Sequence, residues 1–318
     1  MKSNGFSMIE LVVVIIVVSI LATGTTIALS ELYNRSMKSK AISELSYDSQ
    51  LLIEQISQLL SARVPSTVIG YDMTNDSFEP IYNMNHEYKI LEWIGRSIES
   101  FNLKEYSSFI DLEKSDRNSK SLYSPDSNFS KLSNSIKDKF EISSSNIYHD
   151  EIVALIFSGS YDEGSFIYSN EFNNSFGWHE NSNNYIYEIN SIDENNITLK
   201  RKPSTIYEKY FLIDSAYAIA RGKDIDISAN CIQDLNVSVD ENSLFLFFNY
   251  RPWRGESFCA DLNAPFTEGN VTILSTEVSG FEIDFANGNL IFNVTLKRFI
   301  PKRAKKNSIT ISKQKVVY

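Results

Sequence analysis

Gly5-Phe6-Ser7-Met8-Ile9-Glu10-Leu11 opens the part of the sequence that decides the fold, because residues 11–30 carry no charged side chain. At 1.5 Å per residue, a helix over residues 11–29 would be roughly 28 Å long, close to the ~30 Å hydrocarbon core of a bilayer. A helix satisfies all its backbone polar groups internally, as an apolar environment demands. The stretch therefore predicts a helix that lies in a membrane or in an equally apolar packing.

Two interpretations of this segment, a secretory signal peptide and a plain signal anchor, each leave one of its features unexplained. In a signal peptide, Lys2 would supply the positive charge before the apolar run. The run is long, however, and no small-x-small cleavage site follows it before Glu31. A plain signal anchor leaves Glu10 unexplained. An ionisable group inside a membrane segment is costly and by default marks a functional site.

The same residues resemble the processing site of type IV pilins and of type II secretion pseudopilins. The shared pattern is a glycine before an aromatic residue, a glutamate four residues after that aromatic, and an uncharged helix that begins at once. The resemblance implies that a prepilin peptidase cleaves between Gly5 and Phe6 and that the new amino terminus of Phe6 is methylated, which keeps its charge. Glu10 of a neighbouring subunit would neutralise this amine in the apolar fibre core, where an unpaired charge costs several kcal/mol.

Beyond residue 30 the pattern becomes amphipathic. Proline cannot continue a helix, so Pro65 ends the pattern. One helix is therefore predicted over residues 6–63, with its second half packed on a soluble domain. A coiled-coil partner is the alternative, but the run is short and its heptads are irregular. The apolar residues at helical spacing are Leu45, Leu52, Ile56 and Leu59, with Met37, Ala41 and Leu60 close to the same stripe.

The remaining sequence predicts helices first and strands afterwards. Residues 66–85 contain the turn formers of a loop, residues 86–112 present an apolar helical face, and residues 129–140 form another short helix. The polar stretch between these two helices is predicted as loop. Asn287-Gly288 predicts a tight hairpin turn. Strands are predicted at 152–157, 165–168, 185–189, 197–200, 210–220, 243–250, 271–274, 280–285 and 290–299.

This order predicts an α+β fold of pilin-like type, in which a long N-terminal helix packs on a mainly antiparallel β-sheet head that has a helical insert. The predicted divisions are a leader peptide at 1–5, a transmembrane or fibre-core helix at 6–30, its amphipathic continuation at 31–63, a loop and helical insert at 64–150, and a β-rich periplasmic head at 151–318.

Roughly the last hundred residues resemble the larger minor subunits of these systems. Residues 210–221, residues 249–253 and the strands from Val278 are similar to the J-type pseudopilin of type II secretion and to the related W-type minor pilin. A K-type tip pseudopilin ranks lower, because that type lacks the glutamate and Glu10 is present.

Composition excludes several functional classes. The chain has 318 residues, a formal net charge of −10 and a sequence pI near 5.0, which argues against a general nucleic-acid partner. Only three histidines occur, and no nucleophile elbow, phosphate-binding loop, dinucleotide fingerprint or HExxH motif is present. We therefore expect no enzymatic activity; a membrane-anchored enzyme with an unrecognised site is the remote alternative.

The two cysteines, Cys231 and Cys259, fit neither a metal-ligand spacing nor a redox dipeptide motif. They lie in the part predicted to be periplasmic, where disulfides form. A bond between them would stabilise the fold by about 3 kcal/mol on the chain-entropy model. Two buried free thiols are the alternative.

Two charged clusters have a functional and a structural interpretation. Asp224, Asp226 and Asp234 could hold calcium, which some pseudopilins carry, but their spacing matches no EF-hand and a solvated acidic turn fits better. A basic run around Pro301 could bind DNA phosphates, although lysines that protect an edge strand from aggregation explain it more simply. The run consists of Lys297, Arg298, Lys302, Arg303, Lys305 and Lys306.

Five Asn-x-Ser/Thr sequons have an acidic residue two positions before the asparagine. This longer pattern resembles the acceptor of bacterial periplasmic N-glycosylation and would place the loops on the surface. An acidic chain rich in Asn and Ser also yields such matches by composition. The five asparagines are Asn128, Asn173, Asn196, Asn236 and Asn270.

The sequence favours a minor pseudopilin or minor pilin that initiates or extends a periplasmic fibre and serves type II protein secretion or pilus biogenesis. The resemblance implies three kinds of partner: the prepilin peptidase, other pilin or pseudopilin subunits, and the assembly platform of the bacterial inner membrane. It also implies a single membrane pass with the head in the periplasm or on the fibre. The alternative is a fibre-displayed subunit that binds DNA for uptake or adheres to a surface.

Overall fold

The computed structural model describes residues 7–83, 88–139, 152–160, 172–259, 269–286, 288–300 and 307–317. Helices are α1 (Met8–Ser61), α2 (Ile98–Asn102), α3 (Phe129–Lys139) and α4 (Asn230–Gln233). Strands are β1 (Ile69–Asp72), β2 (Ser77–Pro80), β3 (Ile90–Arg96), β4 (Asp111–Asp116), β5 (Ser121–Tyr123), β6 (Ala154–Phe157), β7 (Tyr187–Asp193), β8 (Asn196–Leu199), β9 (Tyr210–Arg221), β10 (Leu244–Tyr250), β11 (Asn270–Ser275), β12 (Val278–Ala286), β13 (Asn289–Ile300) and β14 (Asn307–Val317).

The N-terminal helix predicted over residues 6–63 is confirmed as α1, a single helix of 54 residues. It begins after Ser7, whose side chain caps the first turn, and it ends four residues before Pro65. The predicted and observed boundaries differ by two residues at each end. The absence of proline from residues 8–61 explains why so long a helix continues without interruption.

The strands form two antiparallel sheets. The larger has the order β2-β1-β3-β9-β6-β7-β8-β5-β4, and the smaller has the order β12-β13-β14. Strand β9 is the branch point of the larger sheet, because β6 pairs with its first residues and β10 with its last ones, while β11 adds to β10. The α+β architecture of pilin-like type is therefore confirmed.

The second half of α1 lies in a core that also joins the two sheets. Its buried side chains pack with Leu91 and Trp93 of the larger sheet and with Phe292 and Val294 of the smaller sheet. The predicted apolar stripe is confirmed for most of its members. The side chains of α1 that are buried here are Leu45, Ser49, Leu52, Ile53, Ile56 and Leu60.

The helix predicted over residues 86–112 is wrong except for its short segment α2 at Ile98–Asn102. Its apolar centre is β3, which lies between β1 and β9. Leu91 and Trp93 enter the core beside α1, whereas Ile90 and Ile94 enter a second core on the opposite face. A strand buried on both faces reads as a continuous apolar run, which periodicity alone cannot distinguish from a helix.

Other parts of residues 64–150 also contribute strands instead of a loop and helical insert. The predicted loop at 66–85 contains the hairpin β1–β2, and the polar stretch after residue 110 contains β4 and β5. Only the short helices α2 and α3 belong to the described part of this region, and α3 confirms the helix predicted at 129–140. These strands are only three to six residues long, so any alternation within them is weak.

The predicted strands after residue 151 are confirmed with shifted ends, except the one at 165–168, which lies outside the described residues. The hairpin between β12 and β13 is confirmed by the pairing of Ala286 with Asn289. Gly288 has a φ of +78°, as a tight hairpin turn requires. Strand β14 was not predicted, although residues 308–312 alternate polar and apolar side chains as a half-buried strand does.

Replacement of Leu52 by alanine should lower the free energy of unfolding by about 2–5 kcal/mol, because this side chain is 3% exposed between α1 and the sheets. Leu51→Ala is the matched control on the adjacent, 45% exposed position and should cost less than about 1 kcal/mol. Unfolding of the detergent-solubilised full chain, followed by tryptophan fluorescence, measures both. Equal losses would contradict this packing of α1.

Candidate membrane and assembly site

The first turn of α1 is held by a reciprocal cap between Ser7 and Glu10. The Ser7 hydroxyl accepts a hydrogen bond from the backbone N–H of Ile9 at 3.4 Å, and Glu10 Oε2 accepts one from the backbone N–H of Ser7 at 3.0 Å. Glu10 therefore lies one turn from the predicted cleavage point, although Gly5 and Phe6 lie outside the described residues. The Ser-x-x-Glu spacing is a known pattern at helix starts, so the capping role of Glu10 could have been predicted from the sequence.

The apolar half of α1 is exposed on every side. All apolar side chains from Leu11 to Leu21 are between 48% and 67% exposed. Burial of one aliphatic side chain is worth about 1.5–3 kcal/mol, so exposure of a whole helix of them to water is strongly unfavourable. Among the described residues, α1 is the one helix whose length and composition allow it to cross a membrane.

Four hydroxyl side chains in this half donate hydrogen bonds within the helix. Ser19, Thr23 and Thr26 donate hydrogen bonds to the carbonyl oxygens four residues earlier, each at 2.7 Å. Thr25 donates in the same way to Leu21 at 2.9 Å. These hydroxyls therefore need no water, and the segment can be buried in lipid or among other helices without losing hydrogen bonds.

The second half of α1 is fixed to the head by Arg298 of β13. This guanidinium donates to both oxygens of Glu277 at 2.7 Å, to Glu44 at 3.1 Å and to Asp48 at 3.0 Å. Hydrogen bonds to Glu277, and then the attraction of the carboxylates, raise the pKa of Arg298 further above its already high ordinary value. One cation thus joins two residues of α1 to the loop before β12.

Strand β14 holds the opposite flank of the same helix. Lys313 donates to the carbonyl oxygen of Ser46 at 3.0 Å and to the side chain of Gln50 at 2.9 Å. Lys315 lies 3.4 Å from a carboxylate oxygen of Glu54. We call Arg298, Lys313 and Lys315 with their partners on α1 the helix clamp.

The structure divides the predicted basic run. Arg298 belongs to the helix clamp, and the exposed Lys297 lies over the ring of Phe299. Lys302, Arg303, Lys305 and Lys306 lie outside the described residues. Of the two cations of the run that the structure describes, Arg298 is therefore paired with carboxylates of its own chain.

Cys231 and Cys259 form a disulfide, with their Cα atoms 5.9 Å apart. Cys231 lies in α4, and Cys259 follows the turn after β10. The bond joins the segment between β9 and β10 to the segment between β10 and β11. It therefore fixes two irregular connections of the head to each other.

An open cleft of about 370 Å³ lies between the end of β1 and the segment after β9. Its walls carry both signs of charge, from Asp72, Asp224 and Asp226 and from Lys89 and Lys223. Burial raises the pKa of Asp224, whereas hydrogen bonds from Ser228 lower the pKa of Asp226. Asp234, the third member of the predicted calcium cluster, is exposed beyond α4.

The positions of Asp224, Asp226 and Asp234 do not form a recognisable set of calcium ligands in the part of the chain that the structure describes. Within the described ranges, no group of three or more His, Cys, Asp or Glu side chains is placed to hold a metal ion. Of the three aspartates of the predicted cluster, Asp224 is partly buried, whereas Asp226 and Asp234 are exposed. The mixed charges of the cleft point to no one ligand chemistry.

A buried polar cluster of the head was not predicted. The Glu92 carboxylate, 1% exposed, is 2.8 Å from Nε2 of His179 and accepts a hydrogen bond from the Tyr250 hydroxyl at 2.7 Å. His179 has a φ of +48° and stacks on Tyr71 with ring centroids 3.8 Å apart. Burial, and then the charge of Glu92, raises the pKa of Tyr250 well above its ordinary value. The cluster ties β3, β10 and the turn at 178–180 together, a long-range contact that no local pattern indicates.

The five predicted sugar acceptors lie in different local structures. Asn236 is in an irregular stretch after α4, and Asn173 is in a short 3-10 turn. Asn128 caps α3, while Asn196 and Asn270 begin β8 and β11. Of these asparagines, Asn196 is partly buried and the other four are exposed.

Comparison with known proteins adds one finding. Residues 1–26 match the family model described as the prokaryotic N-terminal methylation motif. Comparison with curated proteins gave no match, and comparison with solved structures also gave none. The match covers Gly5, Phe6 and Glu10, and it supports a type IV prepilin-like N-terminus, processing by a prepilin peptidase and assembly with other pilin subunits.

Arg298→Ala should lower the free energy of unfolding by about 1–3 kcal/mol, because charged hydrogen bonds to three carboxylates are lost. Lys297→Ala removes the same charge from an exposed neighbour and should change stability by less than about 0.5 kcal/mol. Denaturant unfolding of the two variants at low and high salt measures the difference, which should shrink as salt rises. Indistinguishable variants would contradict the helix clamp.

Proposed function

We propose that this chain is a structural subunit of a type IV pilus-like fibre, a minor pseudopilin or minor pilin that initiates or joins the fibre after cleavage by a prepilin peptidase. The observation that carries the proposal is the apolar half of α1. The described part of the chain buries none of it, yet it continues directly into the helix that the head encloses. A bilayer covers this surface before assembly, and the helices of other subunits cover it in the fibre.

The same features support a location in the bacterial inner membrane, with one membrane pass and the head in the periplasm or on the fibre. The Cys231–Cys259 disulfide fits an oxidising compartment. The partners we propose are the prepilin peptidase, other pilin or pseudopilin subunits and the inner-membrane assembly platform. We propose no catalytic role.

A subunit that binds DNA on the fibre has less support. DNA binding needs cations whose charge is available to phosphates. Arg298 instead meets three carboxylates of its own chain, and the formal net charge of the chain is −10. Adhesion to a surface has no specific contact residues in its favour within the described ranges.

A deletion strain, scored in parallel for protein secretion and for pili with DNA uptake, tests which machine the subunit serves. Lost secretion with intact pili would identify a pseudopilin of type II secretion. Lost pili or lost transformation with normal secretion would identify a minor pilin. Normal secretion, pili and transformation together would contradict the proposed function.

Glu10→Ala should leave cleavage after Gly5 largely intact and reduce incorporation into the fibre at least tenfold, because the Phe6 amine then lacks a counter-charge in an apolar environment. Glu31→Ala is the matched control, since Glu31 is exposed and pairs with Arg35 at the weak distance of 3.9 Å. Quantitative immunoblots of sheared fibres and of membranes measure both. Normal incorporation of the Glu10 variant would remove the charge-pairing argument.

A further inference from the structure

We infer that Asn236 is an acceptor for N-linked glycosylation, modified by an oligosaccharide that is transferred from a polyprenyl pyrophosphate carrier. This inference rests on the proposed export of the head, because such a transfer acts on exported protein. The fold distinguishes Asn236 from the other four asparagines that share its sequence pattern.

The segment around Asn236 is held at both ends and irregular between them. At its start, Cys231 of α4 is bonded to Cys259. At its end, the backbone N–H of Asp240 donates to the Ser243 hydroxyl at 3.0 Å, and the carbonyl of Ser243 accepts from Gly222 at 2.8 Å. Residues 236–240 form neither helix nor strand. An enzyme can therefore bind this stretch without breaking a regular element.

All three recognition positions of this sequon are exposed together. Asp234, Asn236 and Ser238 all lie on the surface, and Val237 between them is 55% exposed. A transferase that reads an acid, an asparagine and a hydroxyl must contact all three side chains. Asn236 has a φ of +52°, a left-handed conformation that asparagine tolerates better than most residues.

The other four sequons fail at least one of these conditions. Ser175, the hydroxyl residue that follows Asn173, is fully buried. Asn128 directly precedes α3, so the hydroxyl residue of its sequon, Ser130, lies in a regular helix. The side-chain oxygen of Asn128 also caps this helix, by accepting from the backbone N–H of Lys131 at 3.1 Å. Asn196 and Asn270 are paired within sheets, with Tyr123 and Phe248 respectively.

The chemistry is a substitution at the first carbon of the sugar. A bond forms between Asn236 Nδ2 and the anomeric carbon, the bond from that carbon to the carrier's pyrophosphate breaks, and one amide proton is released. The carrier leaves as polyprenyl pyrophosphate. The product amide keeps one N–H, so the bond that Nδ2 now donates to the carbonyl of Asp234 at 3.2 Å can persist.

The test produces the full chain in a bacterium that carries an oligosaccharyltransferase of this acceptor class and its lipid-linked oligosaccharide. A reference acceptor protein in the same cells verifies that the transferase is active. Glycopeptide mass spectrometry should find the glycan on Asn236, and Asn236→Gln should abolish it. Ser238→Ala should reduce occupancy at least tenfold, Ser238→Thr should retain it, and the control Asn173→Gln should leave it unchanged.

The redox state of the cysteines distinguishes failure of the glycosylation inference from failure of the proposed export of the head. Oxidised Cys231 and Cys259 without a glycan on Asn236 would overturn the inference and leave export of the head intact. Equal occupancy of all five sequons would also overturn it, since the fold would then play no part in the choice. Free thiols without a glycan would count against export, and therefore against the proposed function as well.

Discussion

Helix α1 lies in two different environments, since its first half needs an apolar partner outside the described chain and its second half packs in the head. The rest of the structure depends on this constraint. The first half of α1 is apolar on all sides and finds no partner in the described part of the chain, whereas one face of the second half is enclosed by two sheets. Because the helix is continuous over 54 residues, whatever surrounds the first half determines where the head is held. Anchoring and folding are thus mechanically linked through a single element.

The attachment of the head combines apolar burial with charge pairing. Leu45, Leu52 and Ile56 supply the non-directional part of the contact. The helix clamp makes the contact specific in position, because Arg298 forms ion pairs with Glu44 and Asp48. Lys315 pairs with Glu54 further along α1. Contacts at separated points on both flanks fix the position of α1 along the smaller sheet. The basic character of the C-terminal strands therefore has a structural use.

Local features were predictable from the sequence, and long-range contacts were not. The apolar run, the stop at Pro65 and the motif around Gly5, Phe6 and Glu10 are each defined within a short stretch, so the first helix and the candidate anchoring site could be predicted. Strand β3 was mistaken for a helix because its two faces enter different cores. The helix clamp joins residues about 250 positions apart, and no spacing pattern connects Arg298 to Asp48. Strand β14 was missed because its lysines, which pair with α1, resemble a solvated run.

The proposed function requires that the apolar half of α1 stays on the mature protein and begins at a processed, charged end. The most direct measurement is the intact mass and N-terminal sequence of the protein purified from the membranes of its own host. Phe6 as the first residue, with a methyl group on its amine and the apolar segment retained, is the predicted result. An unprocessed Met1, or a mature chain that has lost residues 6–30, would contradict the proposed function.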